Sequence, residues 1–286
     1  MKLLITGSSG FIGKYLFNSM NESKPFDNFL DSEDDITNLE SLVNASKECD
    51  GIINLAAVGR VSDCEDNPKN CININVNGTI NIIDAAVKNN IKWVGIVSTG
   101  EIKWVENHDI QSFKRIDNTY GISKLTSELL LASICKKVGL KATIFRISSV
   151  VFGEGDNPKK VFPLFLNKAI NGEDIEIKDS KYELDFIHVN DVVDKIKKSI
   201  FLDIESKEHL NEVDIYSGVK LDLLSLAKIM HFLASSNSRI YINNSCINKV
   251  TEIEFQNLII ERKIPKTFLN KISGLITSTL TLNHKN

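Results

Sequence analysis

Residues 2–20 read KLLITGSSGFIGKYLFNSM, and this stretch decides the fold. Lys2–Thr6 is a short, β-rich apolar run. Thr6-Gly7-Ser8-Ser9-Gly10-Phe11-Ile12-Gly13 follows at once, with glycines in G-x-x-G-x-x-G spacing. From Phe11 to Met20 the apolar positions take up helical spacing. A strand, a glycine loop and a helix in this order cradle a pyrophosphate. Gly7 permits the tight turn, Gly10 lets backbone approach the anion with no Cβ between, and Gly13 lets the helix pack close to the strand. The helix N-terminus adds N–H donors and a partial positive charge. At the head of a βαβ chain, the motif reads as a dinucleotide site.

Outward from this unit, strands and helices alternate. Strands are expected at Phe26–Leu30, Gly51–Leu55, Trp93–Ser98 and Ala142–Ser148. Helices are expected after Asp35-Ile36-Thr37-Asn38 (Thr37 or Asn38 as N-cap), at Asn75–Lys88 and at Tyr120–Lys137. Such alternation predicts an α/β fold, a doubly wound parallel sheet with helices on both faces. After Val150 the pattern loosens into helices at Val161–Ile170, Asp191–Leu202 and Leu221–Leu233 and strands at Ile175–Ile177 and Asp185–Val189. Residues 1–150 are therefore read as a dinucleotide-binding domain. Residues 151–286 form a smaller α/β lobe, with segments returning to the main sheet. Residues 251–286, with Lys263, Lys266, Lys271 and Lys285 among apolar side chains, read as an amphipathic final helix or tail.

Composition excludes several classes. The 286 residues are 42% hydrophobic and 25% charged, as in a globular protein. A formal charge of −3 argues against a nucleic-acid binder. No apolar run approaches the roughly 18 residues of a membrane span, and the N-terminus reads as a strand rather than a signal peptide. Cys49, Cys64, Cys71, Cys135 and Cys246 fit neither a disulfide framework nor metal-ligand spacing. Cys64 and Cys71, seven apart, could suit a surface pair, but the five read as free thiols of a reducing cytoplasm. No metal site is expected.

Asp31, at the end of the second expected strand, is placed to accept a hydrogen bond from the adenosine ribose. No Lys or Arg lies between Phe26 and Asn38, and Asp31, Glu33, Asp34 and Asp35 would repel a 2′-phosphate. NAD(H) is favoured, with NADP(H) as the alternative. Tyr120-Gly121-Ile122-Ser123-Lys124 is a Y-x-x-x-K pair one helical turn apart, so both side chains share a face. A phenol titrating near about 10 is a poor proton donor or acceptor at neutral pH, and a neighbouring ammonium favours its anion. Thr99, after the fourth strand, can share a substrate oxygen with Tyr120.

With these residues in place, the sequence resembles the extended short-chain dehydrogenases/reductases. Within them it resembles the nucleotide-sugar epimerase/dehydratase/reductase group. The likeness is carried by TGSSGFIG, by Asn54-Leu55-Ala56-Ala57, by Asn75–Ala86 (NVNGTINIIDAA), by Val97-Ser98-Thr99 and by YGISK. It continues in Arg146–Gly153 (RISSVVFG) and Asp185–Asp191 (DFIHVND). The resemblance implies a Rossmann-type fold and roles residue by residue. Tyr120 would be the acid/base at the sugar C4 oxygen, Lys124 would tune it and hold the nicotinamide ribose, and Thr99 would bond the same oxygen. Gly7, Gly10, Phe11, Ile12 and Gly13 would line the pyrophosphate. Asp35 and Ile36 would sit beside adenine, and Leu55, Ala56 and Ala57 would run under the cofactor. Asn75 would brace the site. The substrate would meet Thr99, Arg146 and Ser149, its diphosphate held by the smaller lobe. The helices Asn75–Lys88 and Tyr120–Lys137 would pair in a homodimer.

Departures narrow the activity. The segment before Asp35 is short, as in nucleotide-sugar 4-ketoreductases. Leu184 stands where the family often has an Arg, so Lys159 or Lys181 would take over the diphosphate. Ser149 replaces a common Asn. Ser98-Thr99-Gly100-Glu101 is similar to the dehydratases' Thr-Asp-Glu, but Gly100 removes the acid that protonates a leaving hydroxyl. Glu101 alone would remain to abstract a proton. His188 reads as a structural histidine, and Trp93 and Trp104 as core and loop packing. The expected activity is NAD(P)-dependent reduction of a nucleotide-linked 4-keto-6-deoxy sugar, with surface-polysaccharide biosynthesis as a fitting setting. The alternatives are a C4 epimerase or 4,6-dehydratase with tightly held NAD and, remotely, a silent dinucleotide-binding subunit.

Overall fold

The computed structural model describes residues 2–21, 28–32, 35–100, 102, 116–147, 150–178, 182–205, 208–243 and 245–283. The chain divides into two compact units, Met1–Ser148 with Asn190–Ile215, and Ser149–Val189 with Tyr216–Asn286.

The first unit is built on six strands. These are β1 (Lys2–Thr6), β2 (Asn28–Ser32), β3 (Gly51–Asn54), β4 (Trp93–Thr99), β5 (Lys141–Ile147) and β9 (Leu210–Ile215). They lie in the order β2-β1-β3-β4-β5-β9, every neighbouring pair parallel. Each parallel step needs a crossover, and helices supply them. The helices are α1 (Phe11–Asn21), α2 (Leu39–Ala45), α3 (Val61–Asp66), α4 (Pro68–Ile72), α5 (Gly78–Lys88), α6 (Thr119–Val138) and α8 (Val189–Glu205). The strand order reverses beside β1, which makes the ends of β1 and β3 the switch point where such sheets bind ligands. Leu4, Ile52, Val94, Ile96 and Ile144 of the sheet pack with Ile82, Ile83, Ala86, Leu131 and Cys135 of the helices in one buried cluster. Trp93 is fully in the core, its indole N–H donating to Thr143 Oγ1 at 2.8 Å. Thr143 in turn donates to the buried Asp203 carboxylate at 2.9 Å.

Three local expectations are corrected. The second strand extends to Ser32, past the expected Leu30, because register with β1 sets its end. Asp31 lies opposite Ile5, inside the ladder rather than beyond its end. The helix expected from Asn75 is preceded by α4 and by a π-turn at Asn73–Asn77, whose wider path buries Asn75. The cysteines are not all free. Cys64 of α3 and Cys71 of α4 form a disulfide, their Cα atoms 5.0 Å apart, because Pro68 turns the second short helix back beside the first.

The second unit holds two three-stranded sheets. One contains β6 (Val150–Phe152), β8 (Leu184–His188) and β10 (Lys220–Leu221). The other contains β7 (Ile175–Ile177), β11 (Ile240–Ile242) and β12 (Ser245–Ile247). Helices α7 (Val161–Asn171), α9 (Leu223–Leu233), α10 (Glu252–Glu261) and α11 (Lys266–Asn283) complete it. Phe152 stacks on Phe162 at 4.1 Å and meets Phe268 edge-on at 5.5 Å. The C-terminal helices thereby belong to this unit's core, together with Phe255, Ile272 and Ile276. Thr251 and Glu254 start α10 with a reciprocal capping box, each side chain accepting from the other's backbone N–H. Asp185 is nearly buried and accepts from the backbone N–H groups of Ser217 (3.0 Å) and Gly218 (2.8 Å). His188 stands edge-on to Phe152 at 5.3 Å. Among the described residues, no helix is long and apolar enough to cross a membrane.

One charged contact stitches α6 to the sheet. The Arg146 guanidinium of β5 is gripped by Glu128 of α6 through Nε (3.1 Å) and Nη2 (2.7 Å), and Nη1 reaches Glu212 of β9 at 2.8 Å. The Arg146 and Glu128 side chains are 12% and 5% exposed, so removing Glu128 leaves a largely buried guanidinium with only the half-exposed Glu212. Glu128→Ala should cost about 3 kcal/mol in urea unfolding. A loss within about 0.5 kcal/mol, the range of an ordinary surface substitution, would show that the contact carries no structural weight.

Candidate active site

The glycine loop is a place where backbone meets backbone. Gly7 has φ +72°, and a Cβ on it would lie 2.5 Å from the Ala56 nitrogen. A Cβ on Gly13 would overlap the carbonyl oxygen of Gly7. These two positions therefore accept only glycine without a backbone shift. Gly10 N–H donates to Gly7 O at 3.0 Å and closes the turn. The loop is tied to the end of β3. Thr6 Oγ1 donates to Asn54 Oδ1 at 2.6 Å, which also accepts from Ala56 N–H at 3.1 Å. Leu55 N–H donates to Thr6 O at 3.0 Å. The structure thus brings Leu55 and Ala56 directly under Gly7, with Ala57 next along.

The loop fits a pyrophosphate. The first bond of α1 runs from Lys14 N–H to Gly10 O at 2.9 Å, so the amides of Phe11, Ile12 and Gly13 precede the intrahelical ladder. Ser8 Oγ is buried in the same loop and has no hydrogen-bond partner among the described residues, a donor suited to an anion. Asp35 Oδ1 accepts from Thr37 N–H at 2.9 Å, while Ile36 is buried and its carbonyl accepts from Asn81 Nδ2 at 3.0 Å. The ribose contact expected of Asp31 involves a side chain outside the described residues.

Thr99 is the last residue of β4 and is buried. Two residues earlier, the Val97 carbonyl accepts from Lys124 Nζ at 2.7 Å. Lys124 of α6 therefore stands at the C-terminal end of β4, with Tyr120 one turn before it on the same face. Burial pushes the Lys124 ammonium down to about 8, against the opposing pull of the Glu128 carboxylate. Near neutrality it remains charged, within reach of losing its proton. A phenol, a hydroxyl and a desolvated ammonium at the end of a sheet strand can pass a proton to and from a substrate oxygen and stabilise the phenolate between.

A buried polar network holds this group in place. Asn75 Oδ1 accepts from Val58 N–H at 2.8 Å, and its Nδ2 donates to Ser123 Oγ at 2.8 Å and to Val58 O at 3.2 Å. Ser123 Oγ donates to the Tyr120 carbonyl at 2.7 Å. Thr79 Oγ1 and Ser127 Oγ both donate to the Asn75 carbonyl, at 2.7 and 2.8 Å. Asn75 thus connects the loop after β3, the π-turn and the Tyr120 turn of α6. Sequence reasoning names Asn75 but misses Ser123, Ser127 and Thr79. The i, i+4 recurrence of hydroxyls at Ser123 and Ser127 is the signal that could have found two of them.

Other expectations fare differently. The Arg146 guanidinium, expected to meet substrate, is engaged by Glu128 and Glu212. Lys159 lies on an exposed turn of the second unit, its N–H donating to Asn157 Oδ1 at 3.0 Å. Glu101, Ser149, Lys181 and Trp104 lie outside the described residues.

The chain resembles known proteins along most of its length. Residues 3–211 match the model of the NAD dependent epimerase/dehydratase family. A low-salt glycan biosynthesis protein of Haloferax volcanii is 29% identical over 272 residues, covering 84% of this chain and 85% of its own. A dTDP-4-dehydro-6-deoxyglucose reductase of Escherichia coli is 26% identical, covering 80% of this chain and 81% of its own. Among solved structures, the UDP-glucose 4-epimerase of Thermotoga maritima with UDP-glucose superposes with a TM-score of 0.77. It is 20% identical and covers 99% of both chains.

The displaced Lys124 titration has a consequence for stability. Its folded value of about 8 lies below the unfolded 10.5, so between those values the unfolded chain holds more protons and stability contributed here rises with pH. In the cofactor-free protein, wild type should therefore gain stability relative to Lys124→Met as pH rises through that window. Urea unfolding of both at several pH values checks this, and a pH-independent difference would contradict it.

Proposed function

Because the chain belongs to the NAD dependent epimerase/dehydratase family, we propose that it is an NAD(P)-dependent reductase of a nucleotide-linked 4-keto-6-deoxy sugar. The observation that carries the reading is the joint position of Thr99 at the end of β4, Lys124 bonded to Val97 O, and Tyr120 one turn away. Reduction rather than dehydration is supported by Gly100, which offers no acid for a leaving hydroxyl. It is supported further by the likeness along most of the chain to a reductase of this substrate class. NAD(H) is the favoured cofactor, since the segment 26–38 carries carboxylates and no cation. NADP(H) is the alternative.

Bound at the glycine loop, a reduced nicotinamide dinucleotide would supply the hydride for the C4 carbonyl. Gly7, Gly10, Phe11, Ile12 and Gly13 hold its pyrophosphate against backbone N–H groups. Leu55, Ala56 and Ala57 form the floor, and Asp31, Asp35 and Ile36 receive the adenosine end. Thr99 donates a hydrogen bond to the carbonyl oxygen and orients it. Tyr120 gives its phenolic proton to that oxygen as it becomes an alkoxide. Lys124 stabilises the phenolate left behind, by charge and without itself losing a proton. Asn75 positions the Tyr120 turn through Ser123. On the substrate side the cations assigned from the sequence are Lys159 and Lys181, beside Ser149.

A homodimer through α5 and α6 is part of this proposal. Ile122 and Leu129, seven residues apart on one face of α6, are 49% and 58% exposed, and Ile72 is exposed on α4, which precedes α5 in the chain. Light scattering should give twice the chain mass, and Leu129→Glu should give monomers. A wild-type monomer would refute the assembly.

Activity is tested on freshly purified protein. Denaturation should release little NAD(P), and NADH should be consumed when a dTDP-linked 4-keto-6-deoxyhexose is supplied. Tyr120→Phe should bind NADH as before and lose turnover by at least about a hundredfold. Stoichiometric retained NAD⁺ would shift the reading to an epimerase or dehydratase. Undiminished turnover by the variant would remove Tyr120 from the chemistry.

A further inference from the structure

The proton donor sits in the weakest part of its helix. Tyr120 is the second residue of α6, inside the first turn, where N–H groups have no carbonyl one turn earlier to bond. Such turns fray unless side chains cap them. Here two side-chain oxygens bracket Tyr120. Asn118 is the N-cap, and its Oδ1 accepts from Gly121 N–H at 2.8 Å. On the other side, Thr119 N–H donates to Glu65 Oε1 at 2.6 Å. This second cap comes from α3, 54 residues away in sequence.

We propose that Glu65 is a positioning residue for Tyr120, a tertiary cap that fixes the first turn of α6 for proton transfer. Several observations meet on it. A carboxylate at a helix N-terminus is favoured by the helix dipole. Bonds from Thr119, the backbone N–H first, hold the Glu65 carboxyl below the usual carboxylate range, so it is ionised at neutral pH. Its own base is anchored, since α3 is a six-residue helix that would not persist alone. Cys64, the residue before Glu65, is buried and bridged to Cys71 of α4. Cys71 Sγ lies 3.6 Å from Ser123 Oγ, the hydroxyl that holds the Tyr120 carbonyl. The α3–α4 hairpin therefore touches the Tyr120 turn at its first N–H through Glu65 and beneath its carbonyl through Cys71 and Ser123.

The inference rests on Tyr120 being the proton donor, and its test separates the two. Glu65→Ala removes the acceptor, and Glu65→Gln keeps an acceptor without the charge. In the full-length protein, Glu65→Ala should lower kcat about tenfold to a hundredfold while leaving KM for NADH unchanged, as expected for a misplaced reacting group. Glu65→Gln should restore most of that rate. Equal rates in all three proteins, or equal losses in both variants, would overturn the assignment. A second measurement needs no substrate. Amide exchange at Thr119 should quicken at least about tenfold in Glu65→Ala, with the interior of α6 at Leu131 and Cys135 unchanged. Unchanged exchange at Thr119 refutes the cap whatever the protein reduces, and general loss of protection refutes a local role. Failure of the functional reading would appear instead in Tyr120→Phe.

Discussion

The first unit depends on a crossing with no side chain in it. The backbone of α1 at Gly13 lies against the carbonyl of Gly7, and Gly7 lies against the backbone of Ala56. Any Cβ at the first contact overlaps an atom that cannot swing away. Because the helix can come this close, its N-terminal amides point at the end of β1. The same closeness brings β3's exit, Asn54–Ala56, into hydrogen bonding with Thr6. Position and electrostatics thus share one cause: a helix N-terminus held at the switch point of a parallel sheet attracts an anion there.

The proposed catalytic group is held differently, by buried polar bonds. Asn75 is turned inward by a π-turn, and its amide joins the loop after β3 to α6. Every polar atom of its side chain has a partner, which is the condition under which a buried amide specifies a geometry instead of costing stability. The network ends on the Tyr120 carbonyl, and caps from Asn118 and Glu65 secure the adjoining amides. Lys124 gains a second property from the same packing. Burial against β4 lowers its proton affinity, while Glu128, itself paired with Arg146, keeps a compensating negative charge close.

Arg146 illustrates what a motif leaves unseen. In the sequence it stands in a stretch that resembles a substrate-contacting segment. In the structure it extends from β5 to α6 and β9 and meets two carboxylates there. Nothing in the spacing of Arg146, Glu128 and Glu212 announces that they converge, because they lie on three elements separated by 18 and 66 residues. The cysteines behave alike. A separation of seven allows Cys64 and Cys71 to pair without requiring it, and the turn at Pro68 brings them face to face.

What the sequence by itself determined is what depends on local periodicity and on residue chemistry at short range. The alternation of strands and helices, the glycine loop between Thr6 and Gly13, and the Tyr120–Lys124 face are all legible there. In each of them the interacting residues lie within one or two turns of each other. Tertiary structure alone decided the register that draws Asp31 into β2, the π-turn that buries Asn75, and the carboxylates that claim Arg146. It also decided the long-range cap that Glu65 places on the Tyr120 helix. These arise where elements distant in the chain press together. Satisfying buried N–H groups and charges then selects partners that no local pattern encodes.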